Sequence, residues 1–135
     1  MPTSSSEPRR MPRGAVIFRQ GDPGHEMFVL SEGRVKLALH TEGHEQELAV
    51  LGPGEFFGEL SLLIDQPRTA TATVVDDATL IAIDRAVFAM MMQDDLDVVF
   101  RMMNVLGRRL SETDQQMQTL RREVERLRAR KDSTQ

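Results

Sequence analysis

Between Gly54 and Ala72 the sequence reads GEFFGELSLLIDQPRTATA, and these residue types at these spacings can hold an anion. Leu60 to Ile64 is apolar and long enough for about one helical turn. If a helix starts just after Gly58, the missing side chain lets backbone N–H groups approach a ligand closely. A helix start also leaves those N–H groups unpaired and carries partial positive charge, which suits a phosphate. Arg68 adds a full charge in a planar fork that can pair two phosphate oxygens, and Thr69 adds a hydroxyl. Glu59 would repel an anion unless it accepts a hydrogen bond from a sugar hydroxyl beside it. One phosphate and one ribose hydroxyl together describe a nucleotide. Singly, each residue has a simpler reading: Arg68 as a surface arginine after a turn-forming Pro67, Glu59 as a carboxylate at a helix start. Their joint spacing is what favours a site.

The charge distribution sharpens the case for Arg68. The 135-residue chain carries a net charge of −4. Residues 1–14 hold three arginines against one glutamate, residues 15–95 five basic against fourteen acidic residues, and residues 96–135 nine basic against six acidic. An acidic body argues against a general nucleic-acid surface. Within it, Arg68 is the only cation between Lys36 and Arg85, as expected of a charge placed for a specific anion. The chain has no cysteine, hence no disulfide framework or thiol chemistry. It has no transmembrane-length apolar run, and MPTSSSEPRRMPRG lacks the apolar core of a signal peptide. These features fit a cytoplasmic protein.

The elements that would position the site follow from patterning. Residues 1–13 are rich in Ser, Pro and Arg without a hydrophobic period, so a disordered tail is expected. From Gly14 onward, short apolar runs (15–18, 27–30, 35–39, 48–51, 69–75 and 79–83) alternate with turn residues at Gly21–Gly24, Glu32-Gly33, Glu42-Gly43 and Gly52–Gly54. Such spacing predicts an antiparallel sandwich or barrel. Val35, Leu37 and Leu39 fall on one face, Arg34, Lys36 and His40 on the other. Gly33 and Gly52 stand where hairpins need positive φ. Asp84 before Arg85–Gln93 reads as a helix start. In that run three consecutive methionines could form an adaptable binding surface, but the plainer reading has Met90 and Met91 filling the gap between the β-domain and the next helix. The expected domain is residues 14–93.

A long helix is expected over 94–131. Leu96, Val99, Met103, Leu106, Leu110, Thr113, Met117, Leu120, Val124 and Leu127 recur at alternating spacings of three and four, a heptad seam. At 1.5 Å per residue, residues 96–131 would reach about 54 Å, too long to pack only on one small domain. With Leu96 at position a, Arg109 (g) faces a partner's Asp114 (e), and Glu123 (g) a partner's Arg128 (e), which predicts a parallel two-stranded coiled coil, a homodimer through residues 96–127. The Leu/Met/Val seam favours a dimer over a trimer. Residues 132–135 read as a disordered end.

Phe57-Gly58-Glu59-Leu60-Ser61-Leu62 followed by Pro67-Arg68-Thr69-Ala70 resembles the phosphate-binding cassette of the cyclic nucleotide-binding domain family, whose pattern is approximately F-G-E-[LI]-[AS]-L, a short gap, then P-R-[AST]-A. GDPG (21–24) and LSEGRVKL (30–37) resemble that family's early turn and hairpin, so the resemblance extends from about Val16 to Met91. It implies a jelly-roll-like antiparallel β-roll of eight strands, mainly β with helices, with the long helix after the roll. It implies that Glu59 holds the ribose 2′-hydroxyl, Arg68 pairs with the cyclic phosphate, and Thr69 helps with phosphate or base, while Gly58, Leu60 and Ser61 lend backbone contacts. Members often carry a helical segment before the first strand, for which this chain has little room. In the catabolite-activator branch a Thr on the long helix meets the purine base and the next residue reaches the partner subunit's nucleotide. Thr113 and Asp114 resemble those two positions, although Thr113 could equally serve only to register the helix interface.

The expected ligand is a cyclic mononucleotide, with no cofactor and no metal. The prevalence of cAMP among catabolite-activator-like proteins points to cAMP. The alternative is cGMP, because a carboxylate such as Asp114 can accept from guanine N1–H and N2–H₂ and Thr69 can contact N2 of a syn base. Only eight residues follow Leu127, with no helix-turn-helix, kinase signature or channel segment, so the expectation is a sensor without a DNA-binding domain that regulates a protein effector. A dimerisation scaffold with a vestigial pocket and a regulator fragment lacking its DNA-binding part are the alternatives. A metal-dependent enzyme is disfavoured: His40, His44 and Glu45 flank a hairpin turn and His25 is remote in sequence. No nucleophile–base pair stands out, and neither enzymatic activity, membrane association nor direct nucleic-acid binding is expected.

Overall fold

The computed structural model of the chain describes residues 7–133. Nine elements follow in order: β1 (Arg9–Met11), β2 (Val16–Phe18), β3 (Met27–Thr41), β4 (His44–Leu51), β5 (Phe56–Phe57), α1 (Glu59–Ile64), β6 (Thr71–Ile83), α2 (Arg85–Asp94) and α3 (Leu96–Ser133). The strands form one antiparallel sheet in the order β1-β6-β3-β4, with β2 also on β6 and β5 also on β3. The antiparallel β-roll with a long C-terminal helix, expected from the sequence, is present, with six strands among the described residues where the resemblance implied eight, because runs expected as separate strands are continuous in β3 and β6.

β6 is the hub of the sheet. It pairs with β3 from Met27↔Ile83 to Ala38↔Thr71, with β1 at Arg9↔Leu80, and with β2 at Val16↔Thr73. Its even-numbered residues Ala72, Val74, Ala78, Leu80 and Ala82 are buried and join Phe28, Leu30, Val35 and Phe57 in the core, as period-two alternation dictates. Burying each Leu or Phe here contributes about 1.5–3 kcal/mol.

Three local expectations are corrected. First, the tail expected over residues 1–13 is ordered at its inner end. Arg9–Met11 form a strand whose pairing to β6 needs backbone groups rather than an apolar pattern, and the Arg13 N–H donates to Asp77 Oδ1 at 2.8 Å. Residues 1–6 of that tail lie outside the described residues. Second, Gly33 does not turn a hairpin. Its φ is +87°, but it lies inside the continuous strand β3, where the register to β6 shifts between Leu30 and Val35. Apolar runs 27–30 and 35–39 therefore belong to one bent strand, as do 69–75 and 79–83 over most of their length. Gly52 has no positive φ, whereas Gly54 does, at +89°. Third, a bulge between Leu37 and Ala38 on the β4 side interrupts the alternation, so Ala38 is buried and Leu39 is only partly so. The hairpin at Glu42-Gly43 is as expected. A two-residue loop joins Thr41 to His44 with positive φ at both positions, the combination a tight antiparallel turn prefers.

Arg34 and Asp76 face each other across the register shift. The guanidinium hydrogen bond holds the Asp76 carboxyl below its ordinary range. The pair's contribution is therefore present above the usual carboxylate range and is lost as pH falls through that lowered value.

Contacts divide the chain into two compact units that meet between Met90 and Met91. Both helix starts near this boundary are capped, the first at Asp84 as the sequence predicts. Asp84 Oδ1 accepts the Val87 N–H at 2.9 Å and Asp95 Oδ1 accepts the Val98 N–H at 3.2 Å. Met90, expected to fill a gap, is 61% exposed. The helix expected over 94–131 begins at Leu96 and runs through Ser133, so it takes in the first two residues of the expected disordered end. Residues 134–135 are outside the described residues.

A side chain at position 33 would place Cβ 2.3 Å from the Asp77 carbonyl oxygen, in a left-handed conformation, whereas one at position 43 meets open space. Gly33→Ala is expected to cost about 2–3 kcal/mol and Gly43→Ala about 1 kcal/mol. Urea unfolding of the two variants checks the difference.

Candidate functional site

The cassette is built as its sequence implies. Gly58 precedes α1 with φ 76°, a conformation that glycine adopts without strain, and α1 opens directly on Glu59. A carboxylate in the first turn complements the helix start. The Ser61 side chain turns inward, 2% exposed, and its hydroxyl donates to the Gln66 carbonyl at 2.7 Å. This bond ties the helix to the segment leading to Arg68. Leu60 is 40% exposed.

Arg68 is the centre of the site. Its backbone is pinned at both groups: its N–H donates to the Asp22 carbonyl at 2.8 Å, and its carbonyl accepts the Gly21 N–H at 2.7 Å. The side chain is buried, 6% exposed. One terminal nitrogen donates to the carbonyls of Glu26 (2.8 Å) and Gly58 (3.2 Å). The guanidinium carbon lies 4.3 Å over the Phe18 ring and 5.7 Å from that of Phe28, contacts that contribute up to about 2 kcal/mol when desolvated. Nε is excluded from solvent and has no partner. Burial pulls the guanidinium's pKa below its ordinary value, and the nearby charges of Glu26 and Asp22 push it back up. A buried cation hydrogen-bonded to carbonyls, with one N–H left over, is arranged to receive an anion.

The structure thus brings Gly58, Glu59 and Arg68 to one place, with Thr69 exposed next in the chain. Thr113 and Asp114 lie on α3, in the second unit, and both are exposed. The Thr113 hydroxyl donates to the Arg109 carbonyl of its own helix at 2.9 Å. Arg68 also borders a cavity of about 750 Å³ formed with β1, Phe18 and the turn at Asp22–Glu26; Glu59, Ser61 and Thr69 do not line it.

Sequence reasoning missed Phe18, Phe28, Gly24 and Glu26. A Cβ at Gly24 would lie 2.3 Å from Arg68 Nε, so that glycine is required by the guanidinium's close approach. The GDPG turn is visible in sequence, and its proximity to Arg68 is the signal a reader could have used. Carbonyl acceptors leave no side-chain signal.

The family model described as "Cyclic nucleotide-binding domain" matches residues 8–95. A "CRP-like cAMP-activated global transcriptional regulator" of Mycobacterium tuberculosis is 31% identical over 119 residues, 87% of this chain and 53% of that protein. A "Cyclic AMP receptor protein" of Thermus thermophilus is 39% identical over 113 residues, 83% of this chain and 52% of that one. The crystal structure of Thermus thermophilus catabolite activator protein superposes with a TM-score of 0.79 at 38% identity, covering 86% of this chain and 55% of that chain. The chain spans about half the length of these relatives.

Gly24→Ala adds one methyl group and removes no charge, yet it displaces the guanidinium. It is expected to weaken binding of a cyclic nucleotide about tenfold or more, since about 1.4 kcal/mol lost from a charge-assisted phosphate contact is a factor of ten. Calorimetric titration, with circular dichroism to confirm the fold, checks it.

Proposed function

This chain belongs to the cyclic nucleotide-binding domain family, and on that premise we propose that it is a dimeric receptor for a cyclic mononucleotide, cAMP before cGMP, that regulates a protein effector through its long helix. The observation that carries the reading is Arg68, buried beside the Gly58–Glu59 helix start with an unpartnered Nε. In this reading the cyclic phosphate takes the free donors of Arg68 and the N–H groups at the start of α1, and Glu59 accepts the ribose 2′-hydroxyl. Leu60 and Ser61 add backbone contacts. Thr113 meets the base and Asp114 reaches the partner subunit's nucleotide. That the two relatives named above are cAMP-activated or cAMP-receptor proteins supports the choice of base. A cGMP reading is favoured by the exposed Thr69, next in the chain to Arg68, whose hydroxyl could accept from guanine N2.

The receptor binds without turnover, acts in the cytoplasm and needs no cofactor or metal. Among the described residues no helix is long and apolar enough to cross a membrane. Self-association through α3 is supported by its unburied stripe: Leu96, Met103, Leu110, Met117, Leu120, Val124 and Leu127 are 41–65% exposed. The Arg109–Asp114 and Glu123–Arg128 pairs across a parallel dimer contribute about 0.5 kcal/mol each and set orientation more than stability.

The test is calorimetric titration with cAMP and cGMP, alongside sedimentation equilibrium. One nucleotide per subunit is expected. Arg68→Ala strands the buried phosphate and should cost about 3 kcal/mol, roughly two decades in affinity. Leu120→Glu should shift the dimer towards monomer. A wild-type chain that binds neither nucleotide overturns the receptor reading in favour of a scaffold.

A further inference from the structure

We propose that Arg9 is a positioning residue for the site: it holds the Glu26 carboxylate away from Arg68, so that the guanidinium stays open to the ligand's phosphate instead of closing on an anion of its own chain. The inference rests on the cyclic-nucleotide reading of the cassette.

Two carboxylates act on the guanidinium. Burial lowers the Arg68 pKa, and the charges of Glu26 and then Asp22 raise it again. Arg68 nevertheless bonds to backbone carbonyls, those of Glu26 and Gly58. Each carboxylate is held by another partner. Asp22 is committed within its own turn, where Oδ2 accepts the Arg19 N–H at 3.1 Å. Glu26 is held from a distant part of the chain: its Oε1 lies 3.7 Å from a terminal nitrogen of Arg9.

Glu26 is the carboxylate with the shortest route to Arg68. Its own carbonyl already accepts from the guanidinium at 2.8 Å, and Arg9, Glu26 and Arg68 line one cavity. Arg68 also has donor capacity left, since Nε has no partner. A charge-assisted bond between carboxylate and guanidinium would fill that capacity and compete with phosphate for it. Arg9 removes the competitor by offering it a cation elsewhere.

The placement of β1 fits this role. Its residues pair with Ala78–Leu80 of β6 through the backbone and carry no apolar pattern. Two bonds tether the chain just beyond it, the Arg13 N–H to Asp77 Oδ1 and the Gly14 N–H to the Val74 carbonyl, both at 2.8 Å. The strand thus delivers Arg9 to the residue that precedes β3. The side chains of the pair are 48% and 28% exposed. Such a pair adds little to stability, so its effect falls on where the carboxylate points.

Calorimetric titration of the full chain with cAMP (or cGMP, whichever wild type binds) tests the proposal in Arg9→Gln, Arg9→Lys, Glu26→Gln and the Arg9→Gln/Glu26→Gln double variant, with circular dichroism to confirm the fold. Arg9→Gln keeps the backbone pairing of β1 and is expected to weaken binding about fivefold, the upper range for a partly exposed ion pair. Arg9→Lys keeps the charge and restores most of the affinity. Glu26→Gln keeps the carbonyl, removes the competitor and binds more tightly than wild type. The double variant binds within about twofold of Glu26→Gln, because Arg9 has nothing left to hold. A merely structural role for Arg9 would weaken binding in both backgrounds. Equal weakening by Arg9→Gln with and without the Glu26 carboxylate, no weakening at all, or weaker binding by Glu26→Gln overturns this inference alone. The last of these outcomes decides even if Arg9→Gln does not fold. A wild-type chain that binds neither nucleotide overturns the receptor reading and this inference together.

Discussion

A guanidinium buried in a protein interior carries a desolvation cost of several kcal/mol, and most such groups recover it from a carboxylate. Arg68 does not. Its hydrogen-bond acceptors are two backbone carbonyls, from Glu26 and Gly58, and its flat faces are covered by the rings of Phe18 and Phe28. Carbonyl dipoles and aromatic quadrupoles hold a cation in place without cancelling its charge. Glu26 shows the division of labour. Its backbone oxygen serves Arg68, while its carboxylate stands 3.7 Å from Arg9. The site keeps a positive centre that a bound anion can neutralise, and much of the roll is arranged to supply these neutral neighbours. β2 brings Phe18, β3 brings Phe28, the turn before β3 brings Gly24 and Glu26, and the approach to α1 brings Gly58.

The same arrangement accounts for the glycines at the site. Gly24 and Gly58 each stand where a Cβ would overlap the guanidinium, at 2.3 Å and 2.7 Å. The backbone has to reach the cation from two sides, and only residues without side chains permit it. Chain pinning does the rest. The Gly21–Arg68 and Arg68–Asp22 backbone bonds fix the start of the segment into β6 against the turn before β3, and Thr71 Oγ1 accepts the Gln20 N–H at 3.0 Å. Position 68 is set by the backbone before its side chain makes a single contact.

What could be read from sequence divides along that line. Side-chain chemistry was legible: the Gly58–Glu59 helix start, Arg68 as a lone cation in an acidic domain, the cap at Asp84, and the turn at Glu42-Gly43. Backbone chemistry was not. Gly33 has the positive φ its context implied, but a bulge inside a strand and a hairpin both need it, and what decides is the Asp77 carbonyl packed against it. β1 lacks an apolar pattern because its place depends on pairing with β6. The partners of Arg68 are carbonyls, which every residue possesses and which therefore mark no residue as special.

The long helix presents the complementary problem. α3 has 38 residues and carries a stripe of large apolar side chains left open to solvent. Helices in folded proteins owe little of their stability to intrinsic propensity and most to burial of an apolar face. A stripe that stays exposed in one chain contributes only when a second surface covers it, so under the proposed self-association of α3, folding of its distal turns and that association would be linked processes. In a dimeric receptor whose nucleotide touches this helix, that linkage is reciprocal: any factor by which nucleotide tightens the dimer is the factor by which dimerisation tightens the nucleotide. The size of the factor is bounded by the difference in contacts that each state offers the ligand. Thr113 and Asp114 are the α3 residues that such a difference would involve. The Thr113 hydroxyl is already committed to the Arg109 carbonyl, so any contact with a base would use its oxygen as acceptor or exchange one hydrogen bond for another. A swap of that kind yields a modest coupling, suited to a switch that must also turn off.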